Sequence, residues 1–225
     1  ASTMIHSAAG VRLTFGGMVR RAPFRAPHHS SSMVALVGGG SVGLRPGEIS
    51  LAHGGVLFLD ELGEFGPVVL DGMRQPLEEG VIRLARARAS AALPAKFLLV
   101  AATNPCPCGG GPPGACECDE VARLRYLRRL SGPLLDRFDL RVGVARPDVD
   151  DLLASGGGEP TAVVAVRVAT ARAIAMERAG TLNANIPPDR LDELAPLHPD
   201  ARARLRTQLE RELLTGRGYH RVRRV

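Results

Sequence analysis

Two adjacent carboxylates close an apolar run: Val56-Leu57-Phe58-Leu59 leads straight into Asp60-Glu61. A buried strand would fix both acids at the carboxyl edge of a sheet, where ligands bind in α/β folds. Asp60 then suits Mg²⁺, directly or through water. Glu61 suits the orientation and deprotonation of a water that attacks a phosphoryl group. The plainer alternative is a strand followed by a solvated acidic turn. A second apolar run, Phe97 to Thr103, ends in Asn104, whose amide can hydrogen-bond that water or a γ-phosphate, or can simply cap the turn before Pro105. Farther on, Leu134-Leu135-Asp136-Arg137-Phe138-Asp139 sets one arginine among apolar residues and acids. Arg137 can stabilise charge on a neighbouring subunit's γ-phosphate, or pair locally with Asp136 or Asp139.

The phosphate cradle that belongs beside such a site needs G-x-x-x-x-G-K-[ST]. These 225 residues hold one lysine, Lys96, which follows Leu93-Pro94-Ala95, and the triple glycine Gly38-Gly39-Gly40 runs into Ser41-Val42-Gly43. The sequence carries the hydrolytic half of a nucleotide site without the cradle.

The four cysteines, Cys106, Cys108, Cys116 and Cys118, fall in one short segment spaced C-P-C-G-x₆-C-x-C. Two close pairs separated by a Gly/Pro loop can converge on a tetrahedral ion, and four thiolates suit Zn²⁺. The alternative is four reduced thiols in a flexible loop. His28-His29 has no acid or cysteine at ligand spacing, and a structural or interface role is expected for this pair and for His53. Arg83, Arg86 and Arg88 lie on or near a hairpin, where they either contact phosphates in a central pore or form a solvated basic face.

The elements that must position these groups read as a mixed α/β order. Residues 10–45 are rich in Gly, Pro, His and Ser, with a short apolar segment at Met33–Val37. The strand at Val56–Leu59 precedes a helix entered at Pro67 and ended at Gly80. A hairpin follows to Lys96, then a buried strand at Phe97–Thr103, stopped by Pro105. The cysteine loop gives way to a helix capped by Asp119 and stopped near Gly132, and a third strand is expected at Leu140–Val144. Residues 151–160, glycine-rich from Ala154 to Pro160, read as a linker. Beyond it the pattern is helical: Thr161–Ala179, then around Asp189–Leu197 and Asp200–Leu214.

The 29 basic side chains are 28 arginines and one lysine, the net charge is +6 and the pI about 9.9. That balance favours polyanionic partners such as nucleotide or nucleic acid. No stretch of 18 apolar residues exists, so no membrane span is expected. The cysteines are too local for a secreted disulfide framework, which points to the cytoplasm.

The segments RPGEISLAHGG (45–55), VLFLDEL (56–62), AATNPCPCG (101–109) and LSGPLLDRFDL (130–140) resemble the magnesium-chelatase-like AAA+ ATPases. Within these they are most similar to the competence protein M (ComM) branch. The resemblance extends from FRAPHHSSS (24–32) to TGRGYHR (215–221). It implies a partial AAA+ P-loop NTPase core over 1–150, with insertions near 16–45 and 81–96 and the cysteine loop at 105–119. The linker at 151–160 and a helical lid at 161–225 complete the expected organisation. It further implies that Asp60 and Glu61 are Walker B, Asn104 is sensor 1, Arg137 the arginine finger and Arg217 sensor 2. ATP and Mg²⁺ are the implied cofactors, and a homo-oligomeric ring, a hexamer, that drives branch migration of DNA is the implied assembly. A chelatase-type motor that remodels a partner protein, and a non-catalytic zinc-containing binding module, are the rival expectations. The chain starts without methionine and without a Walker A segment, and is expected to be the C-terminal portion of a longer protein.

Overall fold

In the computed structural model the described residues are 1–11, 17–40, 44–86, 89–110, 116–130, 132–145, 147–153 and 158–225. They form two compact units, Ala1–Phe138 and Asp139–Val225. The first contains, in chain order, α1 (Ser2–Ala8), β1 (Phe24–Arg25), α2 (Met33–Val37), β2 (Gly38–Gly39), β3 (Arg45–Pro46), α3 (Glu48–Leu51) and β4 (Val56–Leu59). These are followed by α4 (Pro67–Gly72), α5 (Arg74–Glu79), β5 (Val81–Arg86), β6 (Ala89–Pro94), β7 (Leu98–Ala101), α6 (Glu120–Arg129) and α7 (Gly132–Leu135).

Three strands make a parallel sheet in the order β1-β4-β7. Phe24 lies level with Val56, and Val56 through Leu59 with Leu98 through Ala101. Parallel register sends all three strands toward the same edge, so the residues after Arg25, Leu59 and Ala101 emerge together. β1 approaches β4 very closely at its start. Val56 N–H donates to Pro23 O at 2.8 Å, and a Cβ on Gly55 would sit 1.9 Å from that same oxygen. Only glycine fits there. Arg25 and Glu48 form a two-pronged ion pair, both contacts 2.6 Å, which ties β1 to α3 and raises the pKa of the Arg25 guanidinium through its bond to that carboxylate.

One face of the sheet carries Leu57 and Leu59 into a core with Leu36, Ile49, Phe65, Leu70, Met73 and Leu134, all essentially inaccessible. The opposite face leaves Phe24, Leu98 and Val100 exposed. The run at 97–103 reads in the sequence as a buried strand. Only Leu98–Ala101 is strand, and its outward residues are open because nothing among the described residues packs over them.

The helix expected from Pro67 to Gly80 is two helices, α4 and α5, meeting at Met73. Pro76 explains the break. It has no N–H to give to Gly72 O, and its ring crowds that carbonyl four residues back. The hairpin is as anticipated: β5 pairs antiparallel with β6, from Val81 opposite Pro94 to Arg86 opposite Ala89. Ile82 and Leu84 point into the core, while Arg83 between them faces out, the period-two alternation of a half-buried strand. Arg88 lies outside the described residues.

The second unit contains α8 (Val149–Leu153), α9 (Thr161–Ala179), α10 (Leu191–Leu194), α11 (Pro199–Glu210) and α12 (Gly216–Arg224). α9 ends at Gly180 in the left-handed conformation, φ 66°, as a glycine C-cap allows. A small core of Ile186 and Leu191 lies beside α12, whose Arg223 bonds Asp192 and Ala195 O and whose Arg224 donates to Ile186 O. The strand expected at Leu140–Val144 is not formed. Leu140, Val142 and Val144 are exposed, and no described strand pairs with that stretch, so its backbone has no ladder to join. The late helices are shorter than expected. Pro188 starts a 3₁₀ turn that delays α10, and α11 ends at Glu210, just before Glu212 in the left-handed region.

Candidate nucleotide-hydrolysis site and metal-binding loop

β4 delivers Asp60 and Glu61 to the sheet edge, and the chain turns sharply there. Glu61 adopts φ 51°, ψ 48°, the left-handed region, in which a side chain with a Cβ costs about 1–2 kcal/mol. Two bonds hold the turn: Glu61 N–H donates to Asp60 Oδ1 at 2.9 Å, and Leu62 N–H to Ala102 O at 2.8 Å. The second crosses to β7, so the tips of β4 and β7 are fixed to each other. A single 3₁₀ turn, Leu62–Glu64, follows. Non-glycine residues persist in such conformations where surrounding structure over-determines them, and such positions cluster at functional sites.

Asp60 and Glu61 line a shallow recess of about 260 Å³ with Ala26, Pro27, His28, His29 and Phe58. His29 Nδ1 lies 2.8 Å from Glu61 Oε2, and the His28 and His29 rings lie against each other at a 37° tilt with centroids 4.0 Å apart. Sequence reasoning missed His29, because no acid lies near it along the chain. Phe24–Arg25 is only two residues of strand, and its parallel pairing with β4, which carries the residues after it to the same edge, leaves no period in the sequence.

Asn104 stands at the β7 tip. Its side chain lies against the cysteine loop, where a Cβ on Gly109 would be 3.7 Å from Nδ2. Thr103 Oγ1 lies 3.1 Å from the Tyr126 hydroxyl on α6. The Tyr126 ring occupies the space above Gly63, where a Cβ would come within 2.3 Å of Cζ. Arg129, one turn on, donates to Gly63 O and Glu64 Oε2, both 3.0 Å. α6 thus grips the turn after Glu61 and the tip of β7 at once.

Asp60, Glu61 and Asn104 therefore share one edge, joined by His29. Arg137 does not. Its side chain is 6% exposed, donates to Pro133 O, and pairs with Glu78 of α5. Arg217 lies in the second unit, exposed in the first turn of α12, which Thr215 caps by accepting Gly218 N–H at 3.0 Å. His53 has a structural role. Its Nδ1 accepts Lys96 N–H at 3.1 Å, and burial, with lesser help from nearby positive charge, lowers its pKa.

All four cysteines converge: every pair of sulfurs lies within 4.8 Å. None is in a disulfide, and Cys106 Sγ and Cys108 Sγ are 3.4 Å apart, beyond S–S bonding distance. The Cys118 thiol is pushed up to about 11, first by its hydrogen bond with Cys108. The cluster can hold a metal ion.

A parallel sheet with acids at its carboxyl edge, flanking helices and a C-terminal helical unit is a partial P-loop NTPase core with a helical region after it. The sequence profile of the family described as magnesium chelatase, subunit ChlI, matches residues 1–152, and that of its C-terminal part matches residues 158–225. The chain belongs to this magnesium chelatase ChlI family. It is 47% identical over 227 residues to an uncharacterized protein of Mycobacterium tuberculosis, covering 99% of this chain and 45% of that protein. It is also 47% identical over 207 residues to competence protein ComM of Haemophilus influenzae, covering 92% of this chain and 40% of the relative. Against the uncharacterized YifB of Escherichia coli the identity is 51% over 166 residues, 73% of this chain and 33% of the relative. The chain thus spans less than half the length of these relatives. No helix among the described residues is long and apolar enough to cross a membrane.

Proposed function

We propose that these residues are the hydrolytic half of an AAA+ ATPase of the competence protein M type, which couples ATP hydrolysis to DNA translocation or branch migration. The observation that carries this is Glu61, a non-glycine residue held at φ 51° beside Asp60 on a tip bonded to the Asn104-bearing strand. Asp60 is exposed and spends one oxygen on Glu61 N–H, so it has capacity left to hold Mg²⁺. The ion, when bound, neutralises charge on the phosphate oxygens. Glu61 orients and deprotonates the attacking water, and Asn104, on the neighbouring strand tip, is the sensor whose amide meets the same water or the γ-phosphate. In a ring, Arg137 acts on a neighbour's phosphate only after leaving Glu78, and Arg217 acts from the helical unit. The four thiolates are assigned Zn²⁺, the ion such a donor set suits.

The test uses the full gene product that contains these residues. Glu61→Gln is expected to keep ATP binding and to lower hydrolysis at least about a hundredfold, as loss of a general base does. Hydrolysis unchanged in Glu61→Gln removes the assignment. On the DNA side, Arg83 and Arg86 of the hairpin are expected to contact phosphates. Replacing each with alanine then lowers the slope of log affinity against log salt by about 0.9. An unaltered slope makes the hairpin a solvated basic face.

A further inference from the structure

We propose that Cys106, Cys108, Cys116 and Cys118 hold one Zn²⁺ whose task is to lock the β7 tip, with Asn104, against α6 and the turn after Glu61. The lock rests on the zinc assignment made above and extends it to the neighbouring site.

The sulfurs already stand close to a coordination sphere. Zn–S bonds of about 2.3 Å in a tetrahedron set sulfurs about 3.8 Å apart. All four sulfurs lie within 4.8 Å of one another, and Cys106 and Cys108 are 3.4 Å apart. A contraction of about 1 Å or less closes the site. Four thiolates leave no open position, which is the pattern of a structural ion rather than a catalytic one.

The loop also needs such an ion. Residues 105–119 read PCPCGGGPPGACECD, without one large aliphatic or aromatic side chain. Such a segment buries almost no apolar area to offset its ordering entropy. Even so, Cys106 is completely buried, and Gly110 N–H points at Cys108 Sγ at 3.4 Å. A metal provides the closure that side-chain packing cannot.

The ligands occupy the connection between two functional elements. Cys106 is two residues after Asn104, and Gly109, at φ 70°, turns the loop back beside the Asn104 amide. Cys118 directly precedes Asp119, whose Oδ1 caps α6 by accepting Ala122 N–H at 2.6 Å. α6 then brings Tyr126 to Thr103 and Gly63, and Arg129 to Gly63 O and Glu64. Closing the four sulfurs on one ion shortens the path from Asn104 to the start of α6. It thereby fixes the register in which Tyr126 reaches both strand tips.

The experiment is metal analysis combined with hydrogen exchange on the intact protein. About one zinc per chain is expected, with Co²⁺ substitution giving the visible bands of tetrahedral thiolate coordination. A zinc chelator should then speed amide exchange about tenfold or more at 105–119 and also at 60–64 and 120–129, while Val56–Leu59 stays protected. Zinc-free protein that also gives no Co²⁺–thiolate bands overturns the site. Zinc present, with faster exchange confined to 105–119, leaves the metal in place and overturns the lock. The Cys106→Ser, Cys108→Ser pair should lose zinc; if that variant fails to fold, chelation of the wild-type protein decides both points.

Discussion

His29 Nδ1 lies 2.8 Å from Glu61 Oε2, joining the loop after β1 to the acid at the tip of β4. With Nδ1 as donor, the imidazole fixes one carboxylate oxygen and leaves the other toward the recess that both residues line. His29 is therefore a positioning residue for the proposed base. A hydrogen bond to a charged group is worth about 1.5–3 kcal/mol, so His29→Ala should lower kcat about tenfold or more with KM little changed. His29→Gln, which keeps a donor, should recover much of the loss. Steady-state kinetics of both variants check this, and an unchanged kcat in His29→Ala makes the contact incidental.

Glu61 carries conformational strain that a different side chain would relieve. Asn tolerates the left-handed region better than Glu, so Glu61→Asn should raise the unfolding free energy by about 0.5 kcal/mol. It should also remove hydrolysis, which is the usual trade where a strained residue performs chemistry. Chemical denaturation alongside an ATPase assay tests the pair of effects. A lower denaturation midpoint would show that the tip is held by Glu61's contacts more than it is strained by its backbone.

The acids and the cysteines were legible in the sequence because each announces itself locally: an apolar run ending in Asp60-Glu61, and four cysteines within thirteen positions. The hairpin was legible for the same reason, since Val81–Pro94 alternates and closes on itself. What could not be read was pairing over distance. His29 meets Glu61 only because a two-residue strand, too short to show a period, pairs with β4. Arg137 was expected to bond an adjacent aspartate or a neighbouring subunit, and it meets Glu78, which comes from 59 residues earlier. Leu140–Val144 has the composition of a strand, but composition cannot say whether a ladder partner is present.

Gly63 and Tyr126 form a steric lock between α6 and the turn after Glu61. A Cβ at Gly63 would meet the Tyr126 ring at 2.3–2.6 Å, so the ring must leave and its hydroxyl must lose Thr103. Gly63→Ala should cost about 1–3 kcal/mol by overpacking. Tyr126→Phe removes only the hydroxyl contact and should cost about 1 kcal/mol. The double variant Gly63→Ala, Tyr126→Ala should be markedly less destabilised than the sum of its singles, because the clash exists only while both groups are present. Additive costs in a denaturant cycle would mean that the two residues do not share this space.

The Arg137–Glu78 pair can be separated from the surface ion pairs by its burial. Arg137 is 6% exposed and its Nε has no hydrogen-bond partner among the described residues, so the guanidinium rests on Glu78 and Pro133 O. Removing one partner of a buried pair leaves the other's charge uncompensated. Glu78 is one-third exposed, which lets water reach the gap, and Glu78→Ala should therefore cost about 2 kcal/mol. Glu210→Ala, which breaks the exposed Arg206–Glu210 pair of α11, should cost about 0.5 kcal/mol or less. Denaturation of the two variants side by side gives the contrast. If Arg137 also serves a neighbouring subunit, Glu78→Ala should weaken folding yet leave ATP hydrolysis at or above the wild-type rate per folded ring, because the competing partner within its own chain has gone. A loss of hydrolysis equal to that of Arg137→Ala would instead assign Arg137 a structural role within its own subunit.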